Sequence, residues 1–313
     1  MSTPVIIPGP AIVTFGGHSF YSKGGIKLSL KRGTFTVDSD AWGQTDERLK
    51  NQMWEVSFRP VGQIGAAADL APYFPTLALI GKSVFNPGGA GDVPLVIQTL
   101  AGQTITFARA ALTKCPALKL AATDTMLADM TFTCLGKSAT VLTDAAVQNA
   151  LTATAFADTT FNGDSIITGR YTAAFGANPY DAMLAADGFT VNIEMKLSQP
   201  TEVDGFGIVD MSLEGITASA TFAPANLTQA QHDTLLAFQG ASAVLPGQSL
   251  AVAGTDLVIS SSLFVVTIKK AGPKDAEYEF QSGVHRFKGI TFGSRRTWTA
   301  GVSNALWTFA DAP

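Results

Sequence analysis

The chain has 313 residues, 46% of them hydrophobic, 15% charged and 30 of them glycine, a balance that suits a well-buried β protein and excludes intrinsic disorder. Its formal charge of -4 with a pI near 5.4 leaves no surplus of cations to neutralise phosphates, and no run reaches the roughly 18 apolar residues of a membrane span. A single core stops growing efficiently at about 250 to 300 residues, so the length predicts two domains.

From the N-terminus, residues 1–15 are apolar and hold Pro4, Pro8 and Pro10, without the basic start and unbroken apolar stretch of a secretory signal. Residues 25–31 alternate apolar and polar with period two, and residues 54–58 repeat the pattern, which predicts strands covering a core. Residues 66–74 carry Leu70, Tyr73 and Phe74 in a weak helical pattern. Pro72 interrupts it, since an interior proline removes a hydrogen bond and crowds the preceding turn. Pro87, Gly88 and Gly89 mark a loop before further strands at residues 95–97 and 104–107. Cys115 and Cys134 follow, and without an export signal they are expected as reduced thiols in a cytosolic setting. Residues 154–160, small and polar, read as a linker.

Beyond it, residues 190–195, 263–268 and 277–280 again alternate or run β-branched and aromatic, predicting strands. One helix is predicted between them. Asn226 caps it, Gln229 stands three residues on, Leu227, Leu235, Leu236 and Phe238 supply apolar contacts, and Gly240 ends it. Ala271, Gly272 and Pro273 mark a turn.

The two halves match one another in order. Phe15-Gly16 faces Phe175-Gly176 at a spacing of 160, and Ile26 faces Val191 at 165, which implies a five-residue insertion. Phe58 then faces Phe222 at 164, residues 95–97 face 257–259 at 162, Arg109 faces Lys270 at 161, and Phe132 faces Phe292 at 160. Spacings confined to 160–166 are what a duplicated domain gives, whereas chance matches would scatter. The expected fold is therefore mainly β: two tandem sandwich-like or barrel-like domains, 1–155 and 156–313, each with a short flanking helix. Charge divides unequally between them. Residues 1–150 hold ten acids and twelve bases, whereas residues 151–313 hold fifteen acids and nine bases, a polarity that would suit head-to-tail pairing of copies as well as ordinary solvated faces.

Signals for chemistry are missing. His18, His232 and His285 stand in unrelated contexts with no cysteine near enough for a zinc signature. No nucleophile elbow occurs. Gly81-Lys82-Ser83 and Gly136-Lys137-Ser138 suggest phosphate loops, but Thr76 and Thr131 stand where the earlier glycine would be required, so both read as turns. Asn226-Leu227-Thr228 fits a glycosylation sequon and reads instead as the helix cap. Catalytic residues, cofactors and metals are thus all expected to be absent, and the chain reads as a structural subunit.

The strand at residues 26–30, the Val37-Asp38 and Trp42-Gly43 segment, Phe58-Arg59-Pro60, the strands at 95–97 and 106–107, and their second-half counterparts resemble the tail tube (major tail) proteins of long-tailed bacteriophages, in particular those with two fused tube domains. The resemblance implies a β-sandwich flanked by a helix, with a hairpin or loop and a terminal arm contacting neighbours. It implies a trimer forming a pseudo-sixfold ring, rings stacked into a tube of the virion tail assembled in the host cytoplasm, and tape measure and tail-end proteins as partners. DNA would pass through the lumen without specific binding, and no membrane is involved. Residues 33–50 are then the candidate for a loop that orders on stacking, with an ordinary surface hairpin as the alternative. Two rival readings are another virion ring or decoration subunit, and a carbohydrate-binding or adhesin module pair using Trp298, Trp307 and Tyr180 as sugar platforms.

Overall fold

Period-two alternation of apolar residues builds strands along most of the chain. The structure, a computed structural model, describes residues 11–40, 43–61, 64–86, 92–99, 103–121, 127–135, 152–153, 170–176, 183–203, 207–225, 227, 255–281, 284–294 and 305–313. The first half contains β1 (Ala11–Phe15), β2 (His18–Ser39), β3 (Gly43–Val61), β4 (Leu95–Thr99), β5 (Gln103–Phe107), β6 (Arg109–Lys114), β7 (Leu118–Leu120), β8 (Met130–Leu135) and β9 (Thr152–Ala153). The second contains β10 (Thr172–Phe175), β11 (Phe189–Leu197), β12 (Thr201–Val203), β13 (Gly207–Asp210), β14 (Leu213–Phe222), β15 (Leu257–Ser260), β16 (Phe264–Ile268), β17 (Gly272–Gln281), β18 (Val284–Gly293) and β19 (Trp307–Asp311).

The fold is mainly β, and the predicted strands lie in β3, β5, β11, β16 and β17. Leu263, placed in a predicted strand, instead precedes β16 and is 57% exposed. The turn expected at 271–273 falls just earlier, where Lys270 takes a φ of 46°, and Gly272 already begins β17. The weak helical pattern at 66–74 becomes a 3-10 helix, Ala67–Tyr73, that contains Pro72 and buries Leu70 and Tyr73. Its first turn is held by the Asp69 carboxylate, which accepts from the backbone amides of Gly65 and Ala66 at 2.8 and 2.9 Å. The helix predicted from Asn226 to Gly240 and the linker at 154–160 lie outside the described residues.

In the first half one eight-stranded sheet runs β6-β8-β3-β2-β1-β4-β5-β9. The second half runs β17-β18-β14-β11 in one sheet and β10-β15-β16-β19 in another. The two orders are the same, with one break. β1 pairs with β2 from Ile12↔Tyr21 to Phe15↔His18, whereas β10 keeps only the single antiparallel bridge Ala173↔Met183, equivalent to Val13↔Phe20, to the segment before β11.

Interior packing repeats as well. Phe15 meets Phe132 with ring centroids 4.8 Å apart at 57°, and Phe175 meets Phe292 at 4.9 Å and 55°. Phe58 stacks on Phe132 at 6.2 Å and 10°, as Phe222 does on Phe292 at 5.7 Å and 8°. Offset aromatic packing of this kind stabilises beyond the area it buries. The hydroxyls of Ser57 and Thr131 lie 3.0 Å apart across β3 and β8, and those of Thr221 and Thr291 lie 3.0 Å apart across β14 and β18.

The register corrects one spacing. Ile26 lies opposite Phe58, and continuing the Thr190↔Thr221 register by one residue puts Phe189 opposite Phe222. Ile26 therefore corresponds to Phe189 at 163, not to Val191 at 165, and the insertion is three residues, not five. A shift of two leaves every side chain on its face, so alternation alone does not reveal it. Gly25 and Gly188, also 163 apart, both take left-handed backbone, with φ of 96° and 80°.

β11 also carries β7 from the first half along its free side. Phe189 pairs with Leu120, Thr190 with Lys119 and Val191 with Leu118, antiparallel. Leu118, Leu120, Phe189 and Val191 are all buried in one core that draws on both halves. Gly188 permits this approach, because a Cβ there would sit 2.8 Å from the Leu120 carbonyl oxygen and 2.7 Å from the Ala121 Cβ. At Gly25 a Cβ would meet nothing within 4 Å.

The pair provides a direct comparison. Gly25→Ala is expected to cost only the left-handed penalty, about 1 to 2 kcal/mol. Gly188→Ala should cost at least about 2 kcal/mol more, since β7 must move. Urea denaturation of the two variants measures the difference, and equal losses would mean that β7 does not lie against Gly188.

Candidate functional site

Among the described residues no group of three or more His, Cys, Asp or Glu side chains is placed to hold a metal ion, and no helix is long and apolar enough to cross a membrane. His18 is exposed at the start of β2, and His285 lies in β18 opposite Phe280. Trp54 packs against Phe107 with centroids 6.1 Å apart, and Trp307 pairs with Ile268 in β19. His232, Trp42, Trp298, Tyr180, Asn226, Gly136-Lys137-Ser138 and residues 87–91 lie outside the described residues.

Gly81-Lys82-Ser83 is a turn used for docking one half on the other. The Gly81 amide donates to the Leu213 carbonyl at 2.7 Å, and the Leu213 amide donates to the Lys82 carbonyl at 3.0 Å. The Val84 amide donates to the Met211 carbonyl at 2.9 Å, and the Ser83 hydroxyl donates to the Asp210 carboxylate at 2.5 Å. Phe85, Ala111, Leu135, Ile208 and Met211 form a second buried cluster under this joint.

Arg109 is the charged centre of the joint. Its side chain is 2% exposed. Nε donates to Asp92 at 2.8 Å, Nη1 donates to the Val209 carbonyl of the other half, and the guanidinium lies 5.0 Å from the Phe85 ring centre. A planar fork with several donors suits such a site, where one cation must satisfy a carboxylate, a carbonyl and a ring face together. Its counterpart at spacing 161, Lys270, solves the same corner differently. There Asp256 accepts from the Lys270 backbone amide at 2.8 Å and from Lys269 Nζ at 2.9 Å. Burial by itself would raise the Asp256 carboxyl, but these bonds and the two lysine charges outweigh it and hold the group below its ordinary value.

The other prominent surface is a ribbon. Beyond Met53, β3 pairs only with β2 among the described residues, and the pairing continues to Ser39↔Gly43. Residues 33–39 thus extend roughly 20 Å at about 3.4 Å per residue. The candidate stretch at 33–50 is a surface hairpin. Along β2 the apolar set changes phase at Gly33, from Ile26, Leu28 and Leu30 to Phe35 and Val37, so the outer apolar residues occupy the opposite face. Phe35 is 47% exposed, opposite Arg48, which pairs with Asp46 at 2.9 Å. The ribbon's base is braced by the second half through Lys50 and Glu202 at 2.9 Å.

No family model matches the chain, and no curated protein matches it. Sequence reasoning did not anticipate Arg109 as a buried latch. The available signal was a cation inside the otherwise apolar stretch from Phe107 to Leu112. Nor did it anticipate β7, a strand of three residues without turn chemistry of its own.

Cys115 and Cys134 are free and buried. Burial pushes the Cys115 thiol up to about 12 and raises Cys134 as well, which withholds the reactive thiolate. Both are expected to resist a disulfide reagent at pH 8 and to titrate as two thiols only in denaturant; rapid labelling of the native protein would contradict this. The unfolded thiols ionise near pH 9. Stability should therefore be full below that pH and decline as it rises towards 12.

Arg109→Ala leaves Asp92 without its cation in the joint and is expected to cost about 3 to 5 kcal/mol, with Arg109→Lys restoring only part. Chemical denaturation reads this, and a loss under about 1 kcal/mol would show that the latch carries little.

Proposed function

We propose that the chain is a self-assembling structural subunit built from a duplicated β domain, and that it forms rings stacked into a tube of the bacteriophage tail-tube kind. The observation that carries the reading is the repetition of one strand order, with the same aromatic packing, in two halves that are fused through a buried joint. Duplicated units joined by a repeated type of contact are the material of closed cyclic assemblies, and their stacking is the open-ended heterologous case. Within this reading the halves are two sandwich-like domains, 1–155 and 156–313, and three chains close a pseudo-sixfold ring.

The ribbon at residues 33–50 supports a contact role. A two-stranded hairpin is marginal in water on its own, and this one presents Phe35 and Val37 away from the body's core face. An acidic chain also suits a conduit for DNA, since lumenal cations would hold phosphates and slow passage. Tape measure and tail-end proteins would bind the ends of such a tube.

Negative-stain microscopy of the purified protein over rising concentration tests the proposal. Rings or tubes with no duplex DNA binding at physiological salt are expected, and a strict monomer at high concentration would overturn it. Closed rings that never stack would point to another virion ring subunit instead.

A further inference from the structure

The joint inside the chain has an unfilled counterpart on its surface. In the second half, β11 carries β14 on one side and β7 on the other, at residues 189–191. At the spacing of 163, the matching stretch of β2 is residues 26–28. β2 carries β3 on one side there, but β1 covers its other side only from His18 to Tyr21. Among the described residues no strand pairs with β2 at 26–28 on that side. The consequence shows in burial: Phe189, Val191 and Ile193 are 2%, 0% and 3% exposed, whereas Ile26, Leu28 and Leu30 are only half-buried and Lys27 is exposed. Three of the ten residues before β1, Pro4, Pro8 and Pro10, have no N–H to donate to a ladder.

The donor has a counterpart as well. At a spacing of 160, Leu118-Lys119-Leu120 corresponds to Tyr278-Glu279-Phe280 in β17, the same apolar, charged, apolar order with the charge reversed. β17 is the outermost strand of its sheet. Beyond Ile290 towards its start, β18 pairs only with β17 among the described residues, so the distal part of this hairpin stands clear of β14. Transferring the register of the internal joint places Ile26 opposite Phe280, Lys27 opposite Glu279 and Leu28 opposite Tyr278. The internal joint sets Lys119 against a neutral Thr190. The transferred one sets opposite charges face to face, a favourable cross-strand pair.

We infer that residues 278–280 of one copy add antiparallel to the β2 edge of a second copy at residues 26–28, repeating between chains the strand addition that β7 makes within one. Backbone hydrogen bonds supply the affinity and the Lys27–Glu279 pair fixes the register. The inference rests on the self-assembly reading and names the surfaces that meet. Covalent and non-covalent joints of one type would then alternate around a ring.

Mixing Lys27→Cys chains with Glu279→Cys chains under mild oxidation tests it, because directly opposed residues in an antiparallel pair lie about 4.5 to 5.5 Å apart at Cα, within disulfide reach. The buried native thiols stay silent. A disulfide-linked dimer that forms only in the mixture is expected, with Lys31→Cys failing to replace Lys27→Cys. Lys27→Glu should raise the concentration needed for assembly about tenfold, and adding Glu279→Lys should restore it. Rings or tubes by microscopy without the mixed dimer would overturn the inference and leave the assembly reading standing. Neither assembly nor dimer would remove both. A cross-link within single monomers of the double variant would also overturn it, since the edge would then be filled by its own chain.

Discussion

The structure depends on one backbone pairing, the addition of β7 to β11. Three residues of the first half lie along β11 at 189–191, where the matching stretch of β2 has no such partner among the described residues, and so the second half completes its core with a strand it does not encode. That placement explains why Gly188 must lack a side chain, why the turn at residues 81–84 reaches Leu213 and Met211, and why a buried guanidinium sits between the halves. Hydrophobic closure and hydrogen bonding act together there. Without β7, Phe189 and Val191 would face solvent along an unpaired edge, which is both an unmet apolar surface and a template for wrong partners.

The halves share what lies inside and differ in what lies at the margins. The aromatic trios Phe15-Phe58-Phe132 and Phe175-Phe222-Phe292 keep their angles within a few degrees, because a close-packed interior tolerates little change of shape. The corners follow chemistry more loosely. Arg109 satisfies its corner through a side chain and Lys270 through a backbone amide, each with a carboxylate as acceptor. Edges and hairpins have diverged most: the first half extends β2 and β3, and the second extends β17 and β18.

Much of this was legible in the residues themselves. Period-two patterns located the strands, Pro72 warned against an α-helix, and collinear matches placed Phe58 against Phe222 and Phe132 against Phe292. Other features left little trace. The two-residue misplacement of Ile26 was invisible because strand periodicity is blind to even shifts, and Gly25 with Gly188 was the better anchor. β7 escaped because three residues carry no periodicity, and its pairing is decided by an open edge 69 to 73 residues further along the sequence, beyond any local rule. Arg109 showed only as a cation within the apolar stretch from Phe107 to Leu112, and its role depends on Asp92, Phe85 and Val209, which lie elsewhere in the sequence.

The short path between β6 and β7 has a geometric meaning. Only residues 115–117 separate a strand anchored in the first half's sheet from one anchored in the second's, so the angle between the halves is set when the chain folds, at any dilution. Curvature in such a molecule is a covalent property. Any closed assembly built from it would inherit every second corner ready-made, and only the remaining corners would be left to the encounter of separate chains.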